Sequence, residues 1–283
     1  MGEKKVWFVT GASRGLGLAL IKQLIKSGDY VAATSRSLND LTQAVSDDTK
    51  QFLPLTVDLT NEASIQQAVE KTMETFGKID VIVNNAGYGL GGSIEELTDQ
   101  EIRLNFDVNV FALLNVIRKT LPYLREQRSG HIFNIASLSG YVGSPGFGSY
   151  SATKFAVIGL SESLAAEVEP FGIKVTVVAP GFFRTNFLSS SSVMYGKNQI
   201  EDYKAVHEVK DFLENMVDGK QEGDPEKAAL AMIHIANEPE PPLHLLLGAD
   251  AYQMASDKLI ALQKEFDKWK DITCSTKFEN KPI

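Results

Sequence analysis

Tyr150 and Lys154 stand four residues apart in YSATK at 150–154. On a helix that spacing puts both on one face, with Cβ atoms about 5–6 Å apart. A free tyrosine has a pKa of about 10 and is a poor base at neutral pH. A nearby ammonium favours the phenolate, as does a helix N-terminus if the tyrosine lies in the first turn. Such a phenol can give its proton to a carbonyl oxygen or take one from an alcohol. Taken alone the pair is weak, since YxxxK is common on ordinary helix surfaces. Two serines precede it: Ser137, which closes NIAS at 134–137, and its neighbour Ser139. A hydroxyl at a strand end can reach the same substrate oxygen and polarise a carbonyl. The plainer role is a loop cap, and strand phase does not choose between the two serines. Asn109 lies among apolar residues in FDVNVFALLN. A buried asparagine needs partners, and this one can bond locally or link Lys154 to water.

A second group could hold a dinucleotide. TGASRGLG at 10–17 supplies Gly11, Ser13, Arg14, Gly15, Leu16 and Gly17 between a strand-like run and a helix-like one. A helix N-terminus there offers free N–H groups and a positive dipole to a phosphate. The spacing is G-x3-G-x-G rather than the general G-x-G-x-x-G, and a tight turn without ligand is the alternative. NAD sites place an acid at the end of the second strand. Here that place reads Thr34-Ser35-Arg36-Ser37, with no carboxylate before Asp40. Arg14 and Arg36 suit the 2′-phosphate of NADP, which a guanidinium fork matches well. Asp58 in VDLT can accept from the adenine amino group or cap the next helix, with Thr60 the better cap candidate. Pro180-Gly181, with Thr185 shortly after, follows a sixth strand. Ligands sit at such strand ends, so this turn can meet the nicotinamide.

The elements that must position these groups alternate. Apolar strand-like runs at Val6–Thr10, Tyr30–Thr34, Phe52–Val57, Ile79–Val83, His131–Ile135, Ile173–Val178 and Leu243–Leu247 are separated by amphipathic stretches. The helices read as Gly15–Ser27, Leu38–Val45, Thr60–Phe76, a long one opened by the capping box at Thr98 and running to about Glu126, and Ser149–Val168. Pro122 is expected to kink the long helix. Asp224-Pro225 opens another helix, and a last one covers about 251–270. The pattern predicts an α/β fold with one mostly parallel, seven-stranded, doubly wound sheet and helices on both faces. The stretch 182–223, with the serine run Ser189–Ser192, lacks a clear strand pattern and reads as a lid or mobile loop.

Composition narrows the classes. The 283 residues are 43% hydrophobic and 23% charged, as in a globular protein with a sizeable core. A net charge of -8 with no basic block argues against nucleic acid. The single cysteine, Cys274, forms no internal disulfide, and no metal site is expected. No run approaches the about 18 apolar residues of a membrane span. Val6–Thr10 is too short for a signal-peptide core. The expected setting is the cytoplasm, without a membrane.

Together these motifs resemble the short-chain dehydrogenase/reductase superfamily, in its single-domain branch. TGASRGLG, NNAG at 84–87, Asn109, Ser137, YSATK and PG at 180–181 occur in family order over about residues 5–250, with no position broken. The glycine spacing is the family's own. The resemblance implies a Rossmann-type fold, with a catalytic and NADP(H)-binding domain at 1–250. It implies a catalytic tetrad of Asn109, Ser137, Tyr150 and Lys154, choosing Ser137 over Ser139. Lys154 would also bind the nicotinamide ribose, and Asn109 would hold a water in the proton relay. Asn85, Ala86 and Gly87 would line the cofactor cleft, Thr185 would meet the carboxamide and Asp58 the adenine. Residues 251–283 extend beyond the shortest members, as in a longer subset with steroid- and retinol-dehydrogenase-like enzymes. This extension, with Leu259, Leu262, Phe266 and Trp269, is expected to pack back on the same domain. A homodimer or homotetramer remains open.

The substrate pocket is expected to use Tyr88, Leu138, Tyr141, Val142, Phe182 and Phe183, with further apolar residues up to Val217. The function expected is an NADP(H)-dependent oxidoreductase that interconverts a carbonyl and an alcohol, reducing apolar ketones or aldehydes. An NAD-preferring alcohol or hydroxysteroid dehydrogenase is the alternative. A non-enzymatic NADP-binding sensor is a third reading, against which intact Ser137, Tyr150 and Lys154 count.

Overall fold

The computed structural model describes residues 4–45, 50–188 and 192–278. The chain runs β1 (Val6–Val9), α1 (Gly15–Ser27), β2 (Tyr30–Ser35), α2 (Leu38–Ala44), β3 (Phe52–Thr56), α3 (Glu62–Phe76) and β4 (Val81–Asn84). It continues through β5 (Gly89–Gly91), α4 (Asp99–Phe106), α5 (Ala112–Gln127), β6 (Gly130–Ile135), α6 (Gly148–Val168) and β7 (Ile173–Pro180). Last come β8 (Val193–Tyr195), α7 (Lys204–Phe212), α8 (Pro225–Ile235), β9 (His244–Leu247), α9 (Ala249–Lys268) and α10 (Lys270–Cys274).

Seven strands form one sheet in the order β3-β2-β1-β4-β6-β7-β9, every pair parallel. From β1 the chain winds first towards β3 and then, from β4, towards β9. The reversal leaves a crevice past the ends of β1 and β4, where the TGASRGLG and NNAG segments emerge. Alternate side chains of β1 serve opposite faces. Trp7 and Val9 pack with Leu20 and Leu24 of α1 and Met232 of α8. Phe8 packs with Ile65 of α3, Ile117 of α5 and Val157 of α6. A strand covered on both faces has no solvent side, which is why these runs are apolar throughout.

Local details differ from expectation in four places. Asn61, not Thr60 or Asp58, caps α3; its Oδ1 accepts from the Ala63 and Ser64 N–H groups. Asp58 instead accepts from the Thr60 N–H and hydroxyl at 2.9 and 2.7 Å. The long helix does open on the Thr98 capping box, but its irregular turn is a π-helical one at Asp107–Phe111, while Pro122 lies within α5. The stretch 182–223 is not strandless: β8 pairs with β5 in a parallel two-stranded sheet, and α7 follows. Ser189–Ser191 and the Met216 side chain fall outside what is described; Ser192 is buried. Finally, only the start of α9 lies on the core. Ala251 and Ala255 are buried against Leu138, whereas Leu259, Phe266 and Trp269 are 63%, 63% and 51% exposed. No helix among the described residues is long and apolar enough to cross a membrane.

Candidate active site

Tyr150 is the third residue of α6, in its first turn, and is 6% exposed. Ser137 leaves β6 in an extended conformation, with its hydroxyl near enough to Tyr150 to act on that phenol's pKa. Its Oγ also accepts from the Ser139 N–H at 3.1 Å, which fixes the hydroxyl. Lys154, one turn on, is buried with its Nζ 5.7 Å from the centre of the Tyr150 ring. That ammonium donates to the Ile135 carbonyl at 2.8 Å. Burial lowers Lys154 to about 8, which keeps it mostly charged at neutral pH.

The tyrosine departs from the sequence expectation. Its pKa is pushed up to about 12, because burial outweighs the opposing influence of the Ser137 hydroxyl. Spacing shows the neighbouring charge but not the desolvation, and desolvation disfavours a phenolate. At neutral pH the hydroxyl therefore keeps its proton, the form that can donate to a carbonyl oxygen.

Asn109 sits inside the π-helical turn, 1% exposed. Its Oδ1 accepts from the Tyr88 N–H at 3.0 Å, and its Nδ2 donates to the Tyr88 carbonyl at 2.9 Å and the Thr153 Oγ1 at 3.1 Å. The side chain thus clamps the segment after NNAG to α6, a role the sequence did not suggest. It also lies beside Lys154: a Cβ built on Gly87 would stand 3.0 Å from Asn109 Oδ1 and 3.6 Å from Lys154 Nζ.

The glycine turn is bound to the end of β4. The Asn85 side chain donates to the carbonyls of Thr10 and Gly11 at 3.0 and 2.9 Å. The N–H groups of Asn85 and Ala86 donate to Thr10 Oγ1 at 3.0 and 3.1 Å. A Cβ on Gly11 would come within 2.8 Å of Ala86 Cα, and one on Gly17 within 2.5 Å of Asn85 Nδ2. Gly15 differs. Its φ of +58° disfavours a side chain, and a Cβ there would meet only Thr185, at 3.9 Å. The first turn of α1 has no side-chain cap and no acid. An uncapped N-terminus facing open space across Gly15 fits the diphosphate of a dinucleotide. Leu16 is partly buried against the core behind this turn.

Towards the expected adenosine end, Ser35 Oγ bonds Ser13 Oγ at 3.2 Å. Arg14 and Arg36 are both exposed. The Thr60 donors, and more weakly the Arg36 charge, hold the exposed Asp58 carboxyl below its ordinary value. At the other end Pro180 closes β7, and Gly181 donates to the Leu247 carbonyl at 2.9 Å.

The expected pocket residues are only partly brought to Tyr150. Tyr88 is there through the backbone that holds Asn109. Leu138 and Val142 pack against α9, because they join the cluster of Ala251 and Ala255. Tyr141 Oη bonds His244 Nδ1 at 2.7 Å, at the start of β9 and so at the opposite end of that strand from the site. Phe183 packs on the core face of α1 and α8 and pairs with Gly223. Phe182 stays exposed. The rings beside Tyr150 are Phe187, from the apolar stretch up to Val217 expected to line the pocket, with centres 6.2 Å apart, and Phe147, which was not expected there, at 6.5 Å; Tyr195 of the same stretch stands a further 6.5 Å beyond Phe147. Phe147 and Phe187 lie outside regular elements, so no periodicity marks their direction.

The segment carrying β8 and α7 is tied down by acids. Buried Glu96 accepts from the N–H groups of Ser93 and Ile200, both at 2.9 Å, and bonds His207 Nε2 at 2.7 Å. Those donors hold its carboxyl at about 2 despite burial. Glu95 accepts from the Tyr203 hydroxyl at 2.7 Å.

A hydroxyl pair and an amine beside a diphosphate-shaped turn define a class, the nicotinamide-dependent oxidoreductases. Known proteins make the assignment narrower. The model of the short chain dehydrogenase family matches residues 5–195, and the chain belongs to that family. Oxidoreductase BOA17 of Botryotinia fuckeliana is 38% identical over 275 residues, which cover 96% of this chain and 99% of that protein. The 3-ketodihydrosphingosine reductase of Bacteroides thetaiotaomicron is 37% identical over 250 residues, 87% of this chain and 88% of that one. A short-chain dehydrogenase from Streptomyces avermitilis has a TM-score of 0.90 at 36% identity, covering 98% and 100% of the two chains. A 3-ketoacyl-(acyl-carrier-protein) reductase from Brucella melitensis complexed with NADH has a TM-score of 0.72 at 25% identity, covering 86% and 96%. ElxO with NADP bound scores 0.73 at 25% identity, covering 89% and 100%. Nicotinamide cofactors of both kinds thus occur among the structural neighbours.

Proposed function

We propose that this chain is an NADPH-dependent carbonyl reductase for apolar ketones or aldehydes. The observation that carries the reading is the buried Tyr150, with the Ser137 hydroxyl near it, Lys154 behind it and Phe147 and Phe187 beside it. Bound NADPH would supply the hydride to the carbonyl carbon. The chain's own part is to hold the substrate oxygen between the Ser137 and Tyr150 hydroxyls and to give it the phenolic proton. The charge left on Tyr150 is then met by the Lys154 ammonium and by the N-terminal turn of α6. Water access to that proton is limited by the two phenylalanine rings, which also favour an apolar carbonyl substituent.

Arg36 just after β2 and Arg14 just before α1, with no acid at the end of β2, support NADPH over NADH. The likeness to a 3-ketodihydrosphingosine reductase supports a ketone substrate with an apolar body. The test follows NADPH and NADH consumption in parallel against a panel of ketones and aldehydes. The expected result is turnover of apolar carbonyl compounds with NADPH, abolished in Tyr150→Phe. Turnover of small charged carbonyl compounds alone, or an undiminished Tyr150→Phe, would overturn the reading.

A further inference from the structure

Asp250 is the second residue of α9, on the extension that follows the last strand. Its Oδ2 accepts from the Phe182 N–H at 2.7 Å, across the end of the sheet. Phe182 follows Pro180-Gly181, the turn that would meet the nicotinamide. The contact lies at the surface, against two glycines. A Cβ on Gly181 or Gly248 would displace the Asp250 carboxylate from this place, and Gly248 has a φ of +103°. The same helix buries Ala251 and Ala255 against Leu138, the neighbour of Ser137. One rigid element therefore touches both the turn after β7 and the loop that carries Ser137.

We propose that Asp250 is a positioning residue for the nicotinamide half of the cofactor. By fixing the Phe182 amide it sets the Pro180–Phe182 turn relative to Ser137 and Tyr150. The inference rests on the reductase reading above. An aspartate in a first turn also stabilises its own helix through charge alone. Asparagine separates the two roles, because its carboxamide oxygen can still accept from Phe182 while the charge is gone.

The experiment compares the wild type with Asp250→Ala and Asp250→Asn. Dissociation constants are measured for NADPH and for adenosine 2′,5′-bisphosphate, which lacks the nicotinamide half. Amide hydrogen exchange at Phe182 is measured in the protein without ligand. In Asp250→Ala, NADPH should bind about tenfold more weakly, the size of one hydrogen bond. The bisphosphate should bind as before, and the Phe182 amide should exchange faster. Asp250→Asn should recover most of the NADPH affinity, which a role in helix charge would not allow. Equal weakening of both ligands, or unchanged NADPH affinity and exchange in Asp250→Ala, would overturn the proposal. A wild type that bound neither ligand would instead overturn the cofactor reading, and the two failures are told apart in the wild-type titration alone.

Discussion

Replacing Asn109 with alanine tests whether the π-helical turn is there to aim this side chain. Three hydrogen bonds disappear: the half-buried ones to the Tyr88 N–H and the Tyr88 carbonyl, and the buried one to Thr153 Oγ1. The losses are unequal. The Tyr88 carbonyl keeps a bond from Asn105 Nδ2 at 3.1 Å, and Thr153 keeps its own bond to the Tyr150 carbonyl at 2.7 Å. The Tyr88 N–H is the group left without its partner. An orphaned buried donor costs about 1–3 kcal/mol, and each bond lost from a partner that stays satisfied about 0.5–1.5 kcal/mol. The sum is about 2–6 kcal/mol, or a fall in melting temperature of roughly 3–10 °C at about 2.1 cal/mol/K of unfolding entropy per residue. Activity should fall further than stability explains, because the freed segment ends beside Lys154. Thermal melts and kcat at a temperature where both proteins are folded measure the two effects. A melting point within about a degree of the wild type would show that the clamp contributes nothing, whatever the activity did.

Two further perturbations address the cofactor end and the anchoring of the β8–α7 segment. Arg36→Ala should raise the KM for NADPH by about tenfold or more and leave that for NADH little changed, as expected on losing one phosphate-pairing cation; equal effects on both cofactors would remove Arg36 as the determinant. The Glu96 carboxyl is held at about 2, below its ordinary 4.5, so its contribution to stability is present above about pH 4.5 and is lost as pH falls towards 2. Acid unfolding of Glu96→Gln, followed by circular dichroism, should therefore be less steep over that window, and a slope identical to the wild type would dissociate Glu96 from acid stability.

The sheet was legible because its strands are covered on both faces. Val6–Val9, Val81–Asn84 and Ile173–Pro180 are nearly continuous apolar runs, and Gly28 and Asp224-Pro225 punctuate the helices beside them. Tyr150 and Lys154 were legible as a pair because helix spacing alone brings them together. Long-range effects were not. Nothing local in Asp107–Phe111 announces a π turn, since its reason is the reach of Asn109 to Tyr88 on another element. The β5–β8 pair has three residues a side, and two of those in β5 are glycines. The direction of the Tyr150 pKa was missed because a sequence displays charges and hides desolvation. Phe183 read as a pocket residue for its type, but its position after β7 turns it into the core.

The bonds between Thr10 and the Asn85–Ala86 backbone join parts of the chain more than seventy positions apart. Loop closure over such a span is slow relative to local helix formation. The glycine turn, though it precedes β4 in the chain, has no fixed shape until β4 has emerged and paired beside β1. A nascent or truncated chain ending before Asn85 would contain every glycine of the motif and still present no formed cradle. Cofactor affinity is in this sense a late product of folding, and it reports on the union of the two windings rather than on the first alone.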